Sequence, residues 1–433
     1  MINLFIGIDR SDKCIDVHLL DQQGNDHSHA QILTDPHSLT AWANEILDLL
    51  PAGTSAALCI EQPCINLTGF FRRFPSFKLY LINPMILKRY RETFNISKAK
   101  DDKKDAHHLA KLLFEKHSVL KPWHAGDPTA AKLAVLTEKR RQLVVQRGSI
   151  SNKLIQLLKD YYPQAFELYG KTIYAPLACA FLKKWPSLQA IQKATPASIE
   201  RFYIQHSSRR PYLIERRLKL IDQAIPITDD PSIIEPYSAL TVAFAEQLST
   251  ISKNIQAFDK MISATVDSHP DAYIFQSLPG AGDQLSARLL AFFGNDRSKY
   301  RNVNAVLDHS GISPVTKQSG QHRVVHRRYS CPKFAHQTFV EWAGQTINKS
   351  TWAKAYQRQQ KAKGQAHNAI LRGLAYKWIR IVYRCWQNHQ CYDEQHYQMA
   401  LRKSGSPLSA IIDAIHLEQA NAEAQENSGP VSE

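Results

Sequence analysis

Two short apolar runs constrain this chain more than anything else in it. Leu4-Phe5-Ile6-Gly7-Ile8-Asp9 and Ala56-Ala57-Leu58-Cys59-Ile60-Glu61 each have the length of a buried strand, and each ends in a carboxylate. Between them, Cys14 to Leu20 and a turn at Gln23-Gly24-Asn25 predict a hairpin. A third strand from about His29 to Leu33 and a helix from Ser38 to Leu50, closed by Pro51, follow. Lys78 to Asn83 reads as a further strand, stopped by Pro84. Strands alternating with helices predict an α/β layer structure. In open sheets of that kind sites form beyond the carboxyl ends of the strands, where Asp9 and Glu61 stand.

Asp101-Asp102-Lys103-Lys104-Asp105-Ala106 then opens an apolar-periodic helix through Leu109, Leu112 and Leu113. Residues three apart share a helix face, so Asp102 and Asp105 lie side by side. Acidic residues in a first turn also complement the helix dipole, and taken alone the pair reads first as a cap. Four carboxylates from three elements are another matter. Gathered at one sheet end they would be intolerable without cations, because each buried ion costs several kcal/mol. Two magnesium ions roughly 4 Å apart would resolve the repulsion and supply the clamp used in phosphodiester chemistry.

The charge points the same way. Fifty-four Lys and Arg against 39 Asp and Glu leave +15, which argues for a polyanionic partner. Beyond Lys403 there is no Lys or Arg, while Asp413, Glu418, Glu423, Glu426 and Glu433 follow, so an acidic tail, expected to be disordered in part, ends the chain. Seven scattered cysteines form neither a CxxC pair nor a zinc spacing, which predicts reduced thiols and a cytoplasmic location. No leader and no run of eighteen apolar residues stands in the sequence, so neither secretion nor membrane insertion is expected.

From about Ala130 the pattern changes. Leu136, Leu143, Ile150 and Leu157 recur every seven residues, and Leu248, Ile251, Ile255, Phe258 and Ile262 step by three and four, which are coiled-coil spacings. An antiparallel helical hairpin with a helical insert from about Tyr161 to Ser238 is predicted. Lys139-Arg140-Arg141 could line a nucleic-acid track or form a solvated face. Pro279-Gly280-Ala281-Gly282 leads into a helix and offers backbone N–H groups to phosphates at Gly280 and Gly282, or is simply a tight turn. Ser319-Gly320 precedes the basic run His322-Arg323-Val324-Val325-His326-Arg327-Arg328. Further on, Ile370, Leu374, Trp378, Ile381 and Cys385 mark one face of a helix whose other face carries Arg372, Lys377, Arg380 and Arg384.

The ordered set Gly7-Ile8-Asp9, Ile60-Glu61, Ile82-Asn83-Pro84, Lys100 to Ala106, Pro279 to Gly282, Gly311-Ile312-Ser313-Pro314 with Ser319-Gly320, and Ala369-Ile370 to Arg380 resembles the DEDD-type insertion-sequence transposases. That family includes the pilin-gene invertases and the bridge-RNA-guided recombinases. The resemblance runs from about residue 4 to 390. It implies a ribonuclease H-like, resolvase-like catalytic domain over 1–125 and a coiled-coil connector with insert over 126–270. A mainly helical transposase domain over 271–400 and the acidic tail over 401–433 complete the expected chain. It also implies a Mg²⁺-binding tetrad of Asp9, Glu61, Asp102 and Asp105, and a nucleophilic Ser319 whose attack leaves DNA joined to protein. The expected partners are double-stranded DNA at the element ends and target, a non-coding guide RNA, and further copies of the chain, as a dimer that becomes a tetramer on DNA, in the bacterial cytoplasm at the nucleoid.

Activation of a serine hydroxyl requires a proton acceptor or cation, and Arg323, Arg327 or Arg328 could stabilise the phosphorane. Two departures from the family pattern stand out. Gln62-Pro63-Cys64-Ile65-Asn66 follows Glu61 where a Thr-Gly-aromatic stretch is usual, and Asp101 replaces the common threonine, leaving spacing to Asp105 to favour Asp102 as ligand. The competing enzyme reading is a resolvase-like endonuclease that uses water on two metals. A binding protein without activity is the competitor from another class. An actin-like ATPase would need glycine-rich phosphate loops that the sequence lacks.

Overall fold

A computed structural model of the chain describes residues 1–61, 65–93, 102–123 and 126–427, without the side chains of residues 65, 102–104 and 422–427. Its contacts divide it into two compact units, Met1–Ala125 and Gly126–Glu433.

The first unit is built on strands β1 (Ile2–Arg10), β2 (Cys14–Leu20), β3 (Asp26–Leu33), β4 (Ser55–Glu61) and β5 (Phe77–Ile82), in the order β3-β2-β1-β4-β5. β1, β2 and β3 are antiparallel neighbours, whereas β4 runs parallel to β1 and β5 parallel to β4. Period-2 alternation divides the strand residues between two apolar layers. Ile6, Ile8, Ile15, Val17, Leu58 and Ile60 pack with α1 (Pro36–Asp48) and α2 (Ile65–Phe71). Phe5, Leu20, Ala57, Cys59, Tyr80 and Ile82 pack on the other face with α3 (Pro84–Glu92) and α4 (Asp102–Lys116). Because both faces are covered, the central strands read as continuous apolar runs rather than as alternation. The third strand starts three residues before the predicted His29, and the first helix spans 36–48 rather than 38–50. Asp35 caps that helix by accepting from the N–H groups of His37 and Ser38, and Pro36 fills its first turn.

Among the described residues, the elements of the second unit are helical apart from one hairpin. The 34-residue α5 (Pro128–Tyr161) leads through α6 (Ala165–Tyr169), α7 (Pro176–Lys184), α8 (Leu188–Gln192), α9 (Pro196–Gln205) and α10 (Pro211–Gln223) to the 37-residue α11 (Pro231–Asp267). The two long helices are antiparallel. Tyr161, at the end of one, bonds Thr241 near the start of the other, while Arg140 pairs with Asp259. Thr241, Leu248, Ile255 and Ile262 recur every seven residues on the buried side of α11, and the short helices between pack around Phe181, Trp185, Phe202 and Tyr203. Prolines at the first turns of α5, α7, α9, α10 and α11 explain why a proline-rich stretch is helical: each stands where no intrahelical N–H bond is needed.

The chain continues through α12 (Ala272–Gln276), α13 (Gly282–Phe293), α14 (Val303–His309), the hairpin β6 (Val315–Ser319) and β7 (His322–His326), and α15 (Lys333–Thr346). The last four helices are α16 (Thr351–Ala362), α17 (His367–Gln387), α18 (Glu394–Lys403) and α19 (Leu408–Asn427). Trp342, Trp352, Trp378 and Trp386 are fully buried at its centre, as core anchors rather than stacking platforms. Within the acidic tail, residues as far as 427 are described, and Leu408–Asn427 form α19. Leu408, Ile412 and Ile415, at helical spacing, are buried in the same core, and Arg358 pairs with Glu418 at 2.7 Å. No described helix is long and apolar enough to cross a membrane.

Candidate active site

The face of the sheet beneath α4 changes character along its strands. At one end it is apolar (Phe5, Leu20, Ala57), and towards the carboxyl ends of β1 and β4 it carries Asp9, Asp16, His18 and Glu61. Ile8 is in register with Ile60, so the next step along the parallel pair sets Asp9 beside Glu61, both on the α4 side. Across the antiparallel pair Asp9 is matched with Asp16, and Gly7 with His18.

Gly7 brings α4 down onto this surface. A Cβ at that position would lie 1.9 Å from the carbonyl oxygen of Ala106, 2.4 Å from the Ala110 nitrogen and 3.0 Å from the Leu109 Cβ. The helix backbone therefore rests directly on the strand, and Asp105 precedes the residue of contact. Asp105 is buried, and the Arg91 guanidinium at the end of α3 donates to its Oδ2 at 2.5 Å. A guanidinium thus pairs with that buried carboxylate. Asp102 begins α4 one turn earlier, on the same helix face; its side chain and Asp101 lie outside the described residues, as do residues 62–64 beside Glu61. Asp9 and Glu61 are half-buried.

Sequence reasoning missed the histidines. His18 on β2, Asp26 on β3 and His107 on α4 converge: His18 Nε2 stands 2.8 Å from Asp26 Oδ1 and 3.0 Å from His107 Nδ1. The hydrogen bond from His18 holds the Asp26 carboxyl below its usual range. A signal was present, since Asp16 and His18 alternate with Ile15 and Val17 in what otherwise reads as an apolar strand.

In the second unit Ser319 ends β6 at the tip of an exposed hairpin, with Gly320 at φ +58° opening the two-residue turn. His322 is its direct cross-strand partner, so hydroxyl and imidazole share one face. Arg323 is exposed on β7 opposite Gln318, and Arg327 stacks over Tyr329. Arg328 is engaged within the fold, donating to Asp308 at 2.8 Å and to the Ser313 carbonyl at 3.2 Å.

The other basic positions divide similarly. Lys139 is exposed, Arg140 is bound by Asp259 between the long helices, and Arg141 lies over the Phe334 ring. At Gly280, whose φ is +69°, a Cβ would stand 2.9 Å from the Gln345 backbone, and the Trp342 indole donates to the Pro279 carbonyl at 3.0 Å. The turn is thus a packing device, while Gly282, exposed at the start of α13, has open space before it. Arg380 with Lys377 and Arg384 lines a groove of about 1590 Å³ among Tyr376, Tyr383 and Tyr392; Arg372, about two turns before Arg380, is half-buried.

An α/β unit with acidic residues at its strand ends is thus followed in the chain by a basic, mainly helical unit. Residues 6–163 match a family model described as transposase, of the IS110 DEDD type, and residues 272–358 match the transposase family of IS116, IS110 and IS902. The chain belongs to the IS110 family of transposases, enzymes of insertion-sequence mobile elements. It is 28% identical over 402 residues, 91% of this chain and 96% of the relative, to the mini-circle transposase for IS117 of Streptomyces coelicolor. It is 23% identical to the 43.6 kDa protein of insertion element IS110 from the same organism, over 69% of this chain and 73% of the relative. The 42 kDa protein of IS900 from Mycobacterium paratuberculosis is 24% identical over 68% and 73%.

Proposed function

We propose that this transposase breaks and rejoins DNA through a covalent serine link, with Asp9, Glu61, Asp102 and Asp105 as a Mg²⁺-binding tetrad and Ser319 as nucleophile. The observation that carries the reading is the Gly7 seat, which sets α4 on β1 with Asp105 over the strand ends that bear Asp9 and Glu61. The strand order, three antiparallel followed by two parallel, supports a ribonuclease H-like domain, and the antiparallel α5 and α11 pair supports a coiled-coil connector.

The donor set fits divalent cations: the tetrad's carboxylates supply oxygen ligands, and the Asp105 carboxylate already accepts from a guanidinium. Bound there, divalent ions supply positive charge to the phosphate under attack. The chain's own residues do the rest. Ser319 Oγ forms a bond to phosphorus as its proton passes to the imidazole of His322, and the phosphorus bond to the leaving sugar oxygen breaks as that oxygen takes up a proton from water. The exposed Arg323 and Arg327 stabilise the charge that develops. Because one phosphate ester replaces another, rejoining needs no nucleotide hydrolysis.

Ser319 and the tetrad lie in different units, so we propose that they meet on DNA, within one copy or between copies of an assembled dimer or tetramer at the nucleoid. The net charge of +15, the exposed Lys139 and the Arg380 groove support binding of the element ends, the target and a guide RNA. The test is Mg²⁺-dependent cleavage of element-end DNA by the purified chain with co-expressed RNA. Asp9→Asn, Glu61→Gln, Asp105→Asn and Ser319→Ala should each abolish it. Cleavage that survives Ser319→Ala but not Asp9→Asn would instead make the chain a water-using endonuclease, and cleavage indifferent to all four would remove the site.

A further inference from the structure

We propose that His18, Asp26 and His107 form a binding site for a single transition-metal dication of the zinc class, separate from the acidic tetrad, which ties the β2 and β3 hairpin to α4. Three ligand atoms from three elements meet there: His18 Nε2 to Asp26 Oδ1 is 2.8 Å, His18 Nε2 to His107 Nδ1 is 3.0 Å, and His107 Nδ1 to Asp26 Oδ1 is 3.5 Å.

Hydrogen bonds alone satisfy this triangle poorly. One proton on His18 Nε2 cannot point along both short contacts, and a neutral His107 turns its Nδ1 towards the same spot. A cation accepts all three lone pairs at once. Ligands about 2.0 Å from a tetrahedral zinc lie about 3.3 Å from one another, and cis ligands of an octahedral ion slightly closer. The observed separations bracket those values, so an ion needs shifts of only a few tenths of an ångström. Two imidazoles and one carboxylate select a borderline dication over Mg²⁺, which prefers oxygen.

The neighbourhood is built for the purpose on both sides. His18 is 12% exposed in the side chain and packs edge-on against His107, whereas Asp26 is 68% exposed and leaves the remaining coordination positions open to water or another ligand. His29 is close by, its ring 6.2 Å from that of His18 and its Nε2 3.9 Å from the buried Asp16. Because His107 lies two residues beyond Asp105, an ion here would fix the helix turn that carries a proposed tetrad member, without itself touching DNA chemistry.

The experiment uses the full chain stripped with chelator and dialysed, titrated with Co²⁺ and with Zn²⁺ in the presence of excess Mg²⁺. One ion per chain is expected, with visible ligand-field bands for Co²⁺ and a raised melting midpoint. Asp26→Asn, at an exposed position that leaves packing intact, and His18→Gln should each weaken binding by at least about tenfold. Asp9→Asn with Glu61→Gln should leave it unchanged, which separates this site from the tetrad. No binding, or binding that persists in the Asp26→Asn and His18→Gln double variant, an adventitious ion on other surface histidines only, would overturn the proposal.

Discussion

Replacing Gly7 with alanine tests the seat of α4 with one methyl group. The new Cβ would stand 1.9 Å from the Ala106 carbonyl oxygen and 2.4 Å from the Ala110 nitrogen, both backbone atoms that no rotamer change can move. To restore an ordinary carbon to oxygen contact of about 3.2 Å, the helix must lift by more than about 1 Å, an overpacking that costs roughly 1–3 kcal/mol. Alanine recovers about 0.5–1 kcal/mol of strand propensity, so a net loss near 1–2 kcal/mol is expected. The functional loss should be much larger than the loss of stability. Displacing Asp102 and Asp105 by an ångström from Asp9 and Glu61 is the scale of error that costs about 100-fold in rate. Denaturant unfolding of the full chain, read beside single-turnover cleavage of element-end DNA, measures both. A Gly7→Ala protein with unchanged stability and unchanged cleavage would refute the argument that α4 is seated on the strand by the missing side chain.

Arg91→Met removes the cation on buried Asp105 and should destabilise the first unit by about 2 kcal/mol in chelator, less than a fully buried pair because the arginine is partly exposed, with Mg²⁺ restoring much of the loss. Failure of Mg²⁺ to restore it would take Asp105 out of the metal site. Burial, then Arg327, depresses the His336 imidazole below its ordinary value of about 6.5, so the unfolded chain takes up this proton first. Its contribution to stability is complete above that value and is lost as pH falls from there towards the folded value. His336→Gln should flatten this acid slope in melting experiments. His322→Ala should slow serine attack with little effect on DNA binding, measured by burst kinetics beside a binding titration; equal loss of both would give the imidazole a binding role. Lys139→Ala should reduce the salt slope of DNA binding by about one, whereas Arg140→Ala should act on stability, since Asp259 holds that guanidinium.

Much of the first unit was legible because its strands are continuous apolar runs punctuated by Gly and Pro, and because its proposed acids stand at strand ends where period-2 alternation fixes the face. The hairpin of long helices was legible from the seven-residue repeat. What stayed hidden was tertiary. Nothing local in Gly7-Ile8-Asp9 says that a helix nearly a hundred residues later will need the glycine, or that Arg91 will answer Asp105. His18, Asp26 and His107 are unremarkable one at a time and meet only through strand pairing and helix packing. In the acidic tail charge hid periodicity: Leu408, Ile412 and Ile415 carry a helical face that the buried core uses.

The most direct test of the account is to trap the reaction on element-end DNA with Mg²⁺, digest the denatured product and locate the modified peptide by mass spectrometry. A nucleotide esterified to Ser319, present in the wild-type chain and missing when Asp9, Glu61 or Asp105 is neutralised, is the predicted result. Cut DNA with no protein attached, or attachment at a different residue, would contradict it.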